Sequence, residues 1–263
     1  MENNNKILDN KYFNRKYVET ITGSKAKANT LINQYLKEGS IIRARHNLYV
    51  TIDKTLDIPS LNAFQLGSIL YNDAYISYQS AFELHGCYVK DNYNVYVSTI
   101  HPFKEFEFCG KNICYAKSAI NHKLIENNKC KYSSIEQTII DSIKALSNAY
   151  PPINMETLVE CLYSIPSNVK IDENILLEYL KKYKSATLYQ KCGYILEFLK
   201  NELKIPESFF TICQRNMSNK KIRIDKMLFD TYSEKWKIFG PSHLCLYISK
   251  GMPEELFLGK EIL

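Results

Sequence analysis

No two cysteines of the chain stand at CxxC spacing, no stretch approaches the roughly 18 uninterrupted apolar residues of a membrane-spanning helix, and the common catalytic signatures are missing. Each absence removes a class of protein. The eight cysteines, at 87, 109, 114, 130, 161, 192, 213 and 245, are scattered, so neither zinc-ligand spacing nor a dense disulfide framework is visible. They read as reduced thiols of a core, and no metal is expected. The opening Met1-Glu2-Asn3-Asn4-Asn5-Lys6 carries no apolar secretion signal, which makes the expectation a cytoplasmic protein without membrane contact.

Enzymes leave motifs that are also lacking. There is no GxxxxGK[ST] phosphate loop, no HExxH, no GxSxG and no GxGxxG. A restriction-type nuclease needs an acidic residue followed by ExK on a strand, to hold a metal ion and position a water. The only ExK is Glu202-Leu203-Lys204, at the end of a helical pattern, where a surface ion pair explains it more simply. Nucleotidyl transfer needs closely spaced carboxylates, and no DxD or DxE occurs. The expectation is a protein that is not an enzyme and takes no cofactor.

What is present is a concentrated charge. The 263 residues carry a formal +6, and residues 1–55 hold ten Lys/Arg against five Asp/Glu, leaving +5 there and +1 in the rest. A local excess of this kind suits a phosphate-binding surface, although a solvated basic face has the same composition.

The pattern inside that segment is specific. Asn14 is placed to cap a short helix through about Thr22, Gly23 supplies a tight turn, and Ser24 is placed to cap a second helix. Ala28, Leu31, Ile32, Tyr35 and Leu36 form one apolar stripe on it, and Gly39 ends it. The opposite face carries Ala26, Lys27, Thr30, Asn33, Gln34 and Lys37, with Lys25 and Asn29 beside it. Amides pair with adenine, threonine meets a thymine methyl and lysines neutralise phosphates, so this face suits a major groove. Any amphipathic surface helix also has a polar outer face.

The sequel shifts the balance toward DNA. Ser40 to Val50 holds two strand-like runs around the basic turn Arg43-Ala44-Arg45-His46-Asn47, and Asn47 tolerates a left-handed turn conformation. A helix followed by a basic ribbon is the order of a winged helix-turn-helix, whose wing places cations on flanking phosphates. Lys25, Lys27, Thr30, Asn33, Arg43, Arg45 and His46 are the candidate DNA contacts, and double-stranded DNA is the expected partner. A winged helix used only for protein contacts is the competing reading.

The fold class expected is α+β: a winged helix-turn-helix over 1–56, then a larger mixed domain over 57–263 with a small sheet, several helices and a sub-boundary near 150. Thr51 to Ser60 reads as a linker, Leu61 to Leu70 as helical, and Ser77 to Gly86 as a short capped helix in which His85 faces the helix dipole. Asn94 to Ile100 and a hairpin over Glu105 to Ala116, turning near Gly110-Lys111-Asn112, supply strands of one sheet. Ser134 to Gln137 reads as a capping box, opening a helix to Leu146. Met155–Tyr163, Asp172–Tyr183 and Ala186–Lys204 read as helices, with Gly193 marking a close helix contact. Beyond Pro206 the pattern is mixed, with strands expected at Lys221–Ile224 and Leu244–Ile248 and Trp236 as a packing anchor.

The basic helix and ribbon, Tyr75-Ile76-Ser77-Tyr78-Gln79-Ser80-Ala81-Phe82-Glu83-Leu84-His85-Gly86, Ile135-Glu136-Gln137-Thr138-Ile139-Ile140-Asp141 and Cys192-Gly193-Tyr194-Ile195-Leu196-Glu197 occur in the order seen in AbiEi-type antitoxins. The chain resembles that family over most of its length, and the last forty or so residues match least. The resemblance implies the antitoxin of a bacterial type IV toxin-antitoxin pair linked to abortive phage infection. It implies an N-terminal winged helix that binds inverted repeats in its own promoter and represses transcription. A larger domain would counteract a nucleotidyltransferase toxin without needing a stable complex. Relatives commonly carry glycine before the Leu-Tyr-Val strand, where this chain has Asn47. A stand-alone winged-helix regulator with a ligand- or partner-sensing domain is the first alternative, and a DNA-targeted nuclease the second.

Overall fold

The computed structural model describes residues 6–90, 93–118, 124–146, 151, 153–227 and 231–244. It is an α+β structure, built on three strand groups and a helical layer. The strand expected over Leu244–Ile248 lies, apart from Leu244, outside the described residues.

In the first unit, strand β1 (Tyr12–Asn14) leads into helix α1 (Arg15–Thr22) and helix α2 (Lys25–Lys37). Asn14 caps α1 by accepting the Tyr17 N–H at 2.9 Å, and Gly23 closes it at φ +68° with its N–H on the Glu19 carbonyl. Ser24 stands at the N-cap of α2, but its side chain makes no capping bond. Of the apolar stripe, Ala28, Ile32 and Tyr35 are buried, while Leu31 and Leu36 are partly covered. The helix ends at Glu38, with Gly39 one residue beyond at φ +67°.

Strands β2 (Ile41–Arg45) and β3 (Leu48–Asp53) form the antiparallel hairpin that the sequence predicts. β3 also pairs with β1, and β4 (Ile58–Pro59) folds back onto its end. The segment read as a linker is therefore a second, smaller hairpin. Its tip is shaped by Asp53, whose carboxylate accepts the N–H groups of Thr55 and Leu56.

Alternate residues of the β2–β3 hairpin feed two different cores, as the period of a strand dictates. Ile41 and Tyr49 join Phe13, Val18, Ala28, Ile32 and Tyr35 under the two helices. Ala44 and Val50 join Leu61, Leu66, Ile76, Val95, Val97 and Ile113 on the other side. The hairpin is thus gripped on both faces.

The central sheet has the order β7-β8-β6-β5-β10-β9. Its strands are β5 (Tyr75–Ile76), β6 (Asn94–Thr99), β7 (Phe106–Phe108), β8 (Lys111–Lys117), β9 (Leu124–Asn127) and β10 (Cys130–Ser133). β6 runs parallel to β8 and β10 parallel to β5, while the other pairs are antiparallel. The β7–β8 turn is Cys109-Gly110, both left-handed, one residue earlier than expected. Asn128 and Lys129, also left-handed, close a tight β9–β10 hairpin that alternation alone did not reveal. Helix α3 (Ala63–Ser68) has an Asn62/Gln65 capping box, and its Gly67 lets the sheet approach: a Cβ there would lie 2.8 Å from Val97 Cγ2.

Helices α4 (Tyr78–Leu84), α5 (Ile135–Ala145), α6 (Met155–Tyr163), α7 (Glu173–Tyr183), α8 (Ala186–Glu197) and α9 (Glu207–Asn216) enclose the largest core. α8 stops well before Lys204, in a run of turns, and α9 was missed in the mixed pattern after Pro206. A small sheet, β11 (Ile222–Arg223), β13 (Ile238–Phe239) and β12 (Tyr232–Ser233), lies against α8. Trp236 is a packing anchor, 1% exposed, and the close approach at Gly193 is to its ring rather than to another helix.

Candidate nucleic-acid interface

The residues nominated on α2 share an open face. Lys25, Lys27, Thr30 and Asn33 are all exposed, together with Ala26, Gln34 and Lys37. Not all of them are free to act. Gln34 donates to Glu38 at 2.8 Å, and Asn29 accepts from Arg15, which also pairs with Glu19. Thr30 donates its hydroxyl proton to the Ala26 carbonyl at 3.2 Å, which leaves its methyl group for an apolar contact. Among the described residues, Lys25, Lys27 and Asn33 have neither an ion pair nor a side-chain hydrogen bond.

Beside this face lies an open depression of about 510 Å³ between the end of α1 and α2, lined by Ile21, Thr22, Ala26, Lys27, Thr30, Leu31 and Gln34. Its rim mixes a cation and hydroxyls with apolar carbon. That surface can meet a sugar-phosphate strand or a base edge.

The hairpin supplies the second set. His46 and Asn47 form its two-residue turn, with Asn47 at φ +59°. Asparagine adopts that region at lower cost than most residues with a Cβ, so the turn forms without a glycine. His46 is exposed at the tip, and Arg43 is exposed with its guanidinium 5.8 Å from the Tyr49 ring centre.

Arg45 is placed differently. Arg43 pairs with Tyr49 but Arg45 pairs with Leu48, so Ala44 is an extra residue in β2. A bulge of this kind re-aims the side chain that follows it. Arg45 faces the central sheet, over Tyr71, Phe103 and Phe106. The structure brings Lys25, Lys27, Thr30 and Asn33 together on one helix face. Arg43, Arg45 and His46 lie at the hairpin end, with only the first and last fully in solvent.

A buried polar cluster escaped the sequence reading. Gln137 does not complete a capping box; its amide donates to Asp141 at 3.2 Å and to the Tyr75 hydroxyl at 3.4 Å, while its own carbonyl oxygen is buried without a partner among the described residues. Asp141 also accepts from the Tyr183 hydroxyl. Burial pushes the Asp141 carboxyl up to about 6, against the opposing pull of those two hydrogen bonds and of Lys144. The Tyr75 hydroxyl is pushed up to about 12, and those of Tyr78 and Tyr183 rise further, first by burial and then by the nearby carboxylate. Tyr78 opens α4 at φ +55°, in the region that side chains with a Cβ rarely adopt. Only the helical placement of Gln137 and Asp141, one turn apart, could have signalled this cluster from sequence.

His85 stands at the C-cap of α4, the helix end at which the sequence places it. Burial holds its imidazole below the usual range, and Nε2 contacts the Ser133 carbonyl at 2.9 Å. Glu202-Leu203-Lys204 lies in the turns after α8, off any strand. Among the described residues no group of three or more His, Cys, Asp or Glu side chains is placed to hold a metal ion, and no helix is long and apolar enough to cross a membrane.

A second depression, of about 250 Å³, lies between Tyr194, Glu197 and Phe198 of the α8 region and Thr231, Ser233, Trp236, Pro241 and Ser242. Glu197 is already engaged there, by the Trp236 indole N–H at 2.6 Å and by Lys235.

No protein-family model and no curated protein matches the chain. Among solved structures it is similar to the Rv2827c protein from Mycobacterium tuberculosis, at 10% identity and a TM-score of 0.53, over 88% of this chain and 86% of that one. The likeness is one of fold, and it extends over nearly the whole of both chains.

Proposed function

We propose that the chain is a DNA-binding repressor of the winged-helix type, with α2 as recognition helix and the β2–β3 hairpin as wing. The observation that carries this reading is the exposed α2 face, on which Lys25, Lys27 and Asn33 have no side-chain partner among the described residues, next to a hairpin bearing Arg43 and His46 in solvent. In such a module phosphate contacts by Lys25, Lys27, Arg43 and Arg45 set position and affinity, and Thr30 and Asn33 read base edges.

Within that reading the protein acts as the antitoxin of a type IV pair. It binds inverted repeats in its own promoter, and its larger part counteracts a nucleotidyltransferase toxin encoded beside it without a stable complex. What supports this is the ordered set of segments shared with AbiEi-type antitoxins; a cytoplasmic, non-enzymatic protein follows from it.

Co-expression with the neighbouring gene tests it: the chain restores growth, and Lys27→Ala with Arg43→Ala abolishes repression while leaving rescue intact. Failure to rescue from a demonstrably toxic neighbour contradicts the antitoxin role. Point variants serve better than cutting at residue 57, because Ala44 and Val50 belong to the buried cluster of the central sheet and a cut would uncover it.

A second reading draws on the depression around Tyr194, Phe198 and Trp236, which has room for a small molecule. It makes the protein a winged-helix regulator that senses a ligand. A neighbouring gene that is not a nucleotidyltransferase favours it.

A further inference from the structure

The guanidinium carbon of Arg45 lies 5.5 Å from the ring centre of Tyr71, 6.0 Å from that of Phe103 and 5.8 Å from that of Phe106. All three rings come from the central-sheet unit. Phe103 is braced in turn by Phe106 at 6.2 Å and Tyr115 at 5.7 Å, and Tyr71 by His101 at 5.0 Å. Arg45 and the rings are only partly buried, so the cage has an open side. Among the described residues no carboxylate pairs with Arg45 and no side-chain hydrogen bond uses its N–H groups.

A guanidinium carries its five donors in its own plane, whereas aromatic faces attract it through their π electrons. The rings therefore hold the group without consuming a donor. A cation ordered in advance with its donors unspent is what two-point recognition of a phosphate requires. An unheld arginine loses side-chain freedom on binding, and a caged one has already lost it.

We infer that Tyr71, Phe103 and Phe106 form a positioning cage that presents Arg45 to a backbone phosphate of duplex DNA. The central-sheet unit thereby takes part in DNA binding. This rests on the winged-helix reading above and extends it beyond the first 56 residues. The cage residues do not touch DNA themselves; they act through Arg45.

The test titrates full-length protein onto a labelled duplex from upstream of its gene, at two salt concentrations. The proteins are wild type, Arg43→Ala, Arg45→Ala, the double variant Tyr71→Leu with Phe103→Leu, and that double variant combined with Arg45→Ala, each checked for cooperative thermal unfolding. Leucine keeps the apolar bulk and removes the π face. The ring variant should bind about three- to fivefold more weakly, the size of a cation–π contact at a partly exposed site. Adding Arg45→Ala to it should cost no more than Arg45→Ala alone, because the two changes remove one coupled element. Arg45→Ala should also lower the salt slope by about one. Ring-variant binding equal to wild type overturns the cage, and tighter binding does so by showing that the rings withhold Arg45. If Arg43→Ala weakens binding while the ring variant does not, the cage alone fails. If no variant changes binding, the DNA-binding reading fails with it.

Discussion

Arg43 and Arg45 stand two residues apart on β2 and yet face opposite sides of the hairpin, because Ala44 is an extra residue between their partners Tyr49 and Leu48. Strict alternation would put both cations on one face. The bulge leaves Arg43 in solvent and sends Arg45 to the rings of the central sheet.

The two arginines should therefore differ in what they do for the fold. Arg45→Ala should lower the unfolding free energy by about 0.5–2 kcal/mol, through the loss of its ring contacts. Arg43→Ala, which gives up one ring contact at an exposed position, should cost less, at most about 0.5 kcal/mol. Urea melts measure both, and equal effects would contradict the asymmetry.

Asn33 is exposed on α2 and has no side-chain partner among the described residues. If it pairs with an adenine edge, Asn33→Ala should reduce discrimination at one base pair by about 1–3 kcal/mol while leaving the salt dependence unchanged. Selection from random duplexes reads this directly. Recovery of the wild-type site at full preference would remove Asn33 from base readout.

The ring of Trp236 lies on the backbone of Gly193, where a Cβ would meet ring carbon Cζ3 at 2.2 Å. Gly193→Ala should cost about 1–3 kcal/mol, the usual penalty of overpacking. Trp236 is the chain's single tryptophan, so its fluorescence should shift to the red as the ring is displaced. A variant as stable as wild type with unshifted emission would show that the contact has room to spare.

Asp141 makes stability depend on pH. Its carboxyl is raised from 3.8 to about 6 on folding, with Tyr75, Tyr78 and Tyr183 around it and Lys144 on its own helix. A raised acid holds its proton more tightly when folded. Its contribution is complete below the unfolded value and is lost as pH rises through about 6. Asp141→Asn cannot titrate and still offers an oxygen to Tyr183. Its stability relative to wild type should improve between about pH 4 and pH 7, in melts at constant ionic strength. Parallel stability curves across that range would contradict the shift.

Local chemistry made the first unit legible. Asn14, Gly23, Gly39 and Asn47 set their turns through short-range rules, and the apolar stripe of α2 and the alternation of the hairpin did the rest. The linker reading of 51–60 failed because β4 is two residues long, too short to show a period. The fate of Arg45 was hidden for a different reason. A bulge reverses facing without altering composition, and Tyr71, Phe103 and Phe106 come from sequence positions far from it. Gln137 was misread because its amide reaches Tyr75, a contact that only tertiary folding creates. α9 follows Pro206 in a segment where buried Phe209, Phe210 and Cys213 give too few turns for a clear stripe.

Whether α2 and the hairpin hold DNA can be read from fluorescence anisotropy with a duplex from upstream of the gene. Wild type should bind with an affinity that falls steeply as salt rises, and Lys27→Ala with Arg43→Ala should weaken binding to every sequence and lower the slope by about two. Binding that is absent, or that neither salt nor the double substitution changes, would contradict the account.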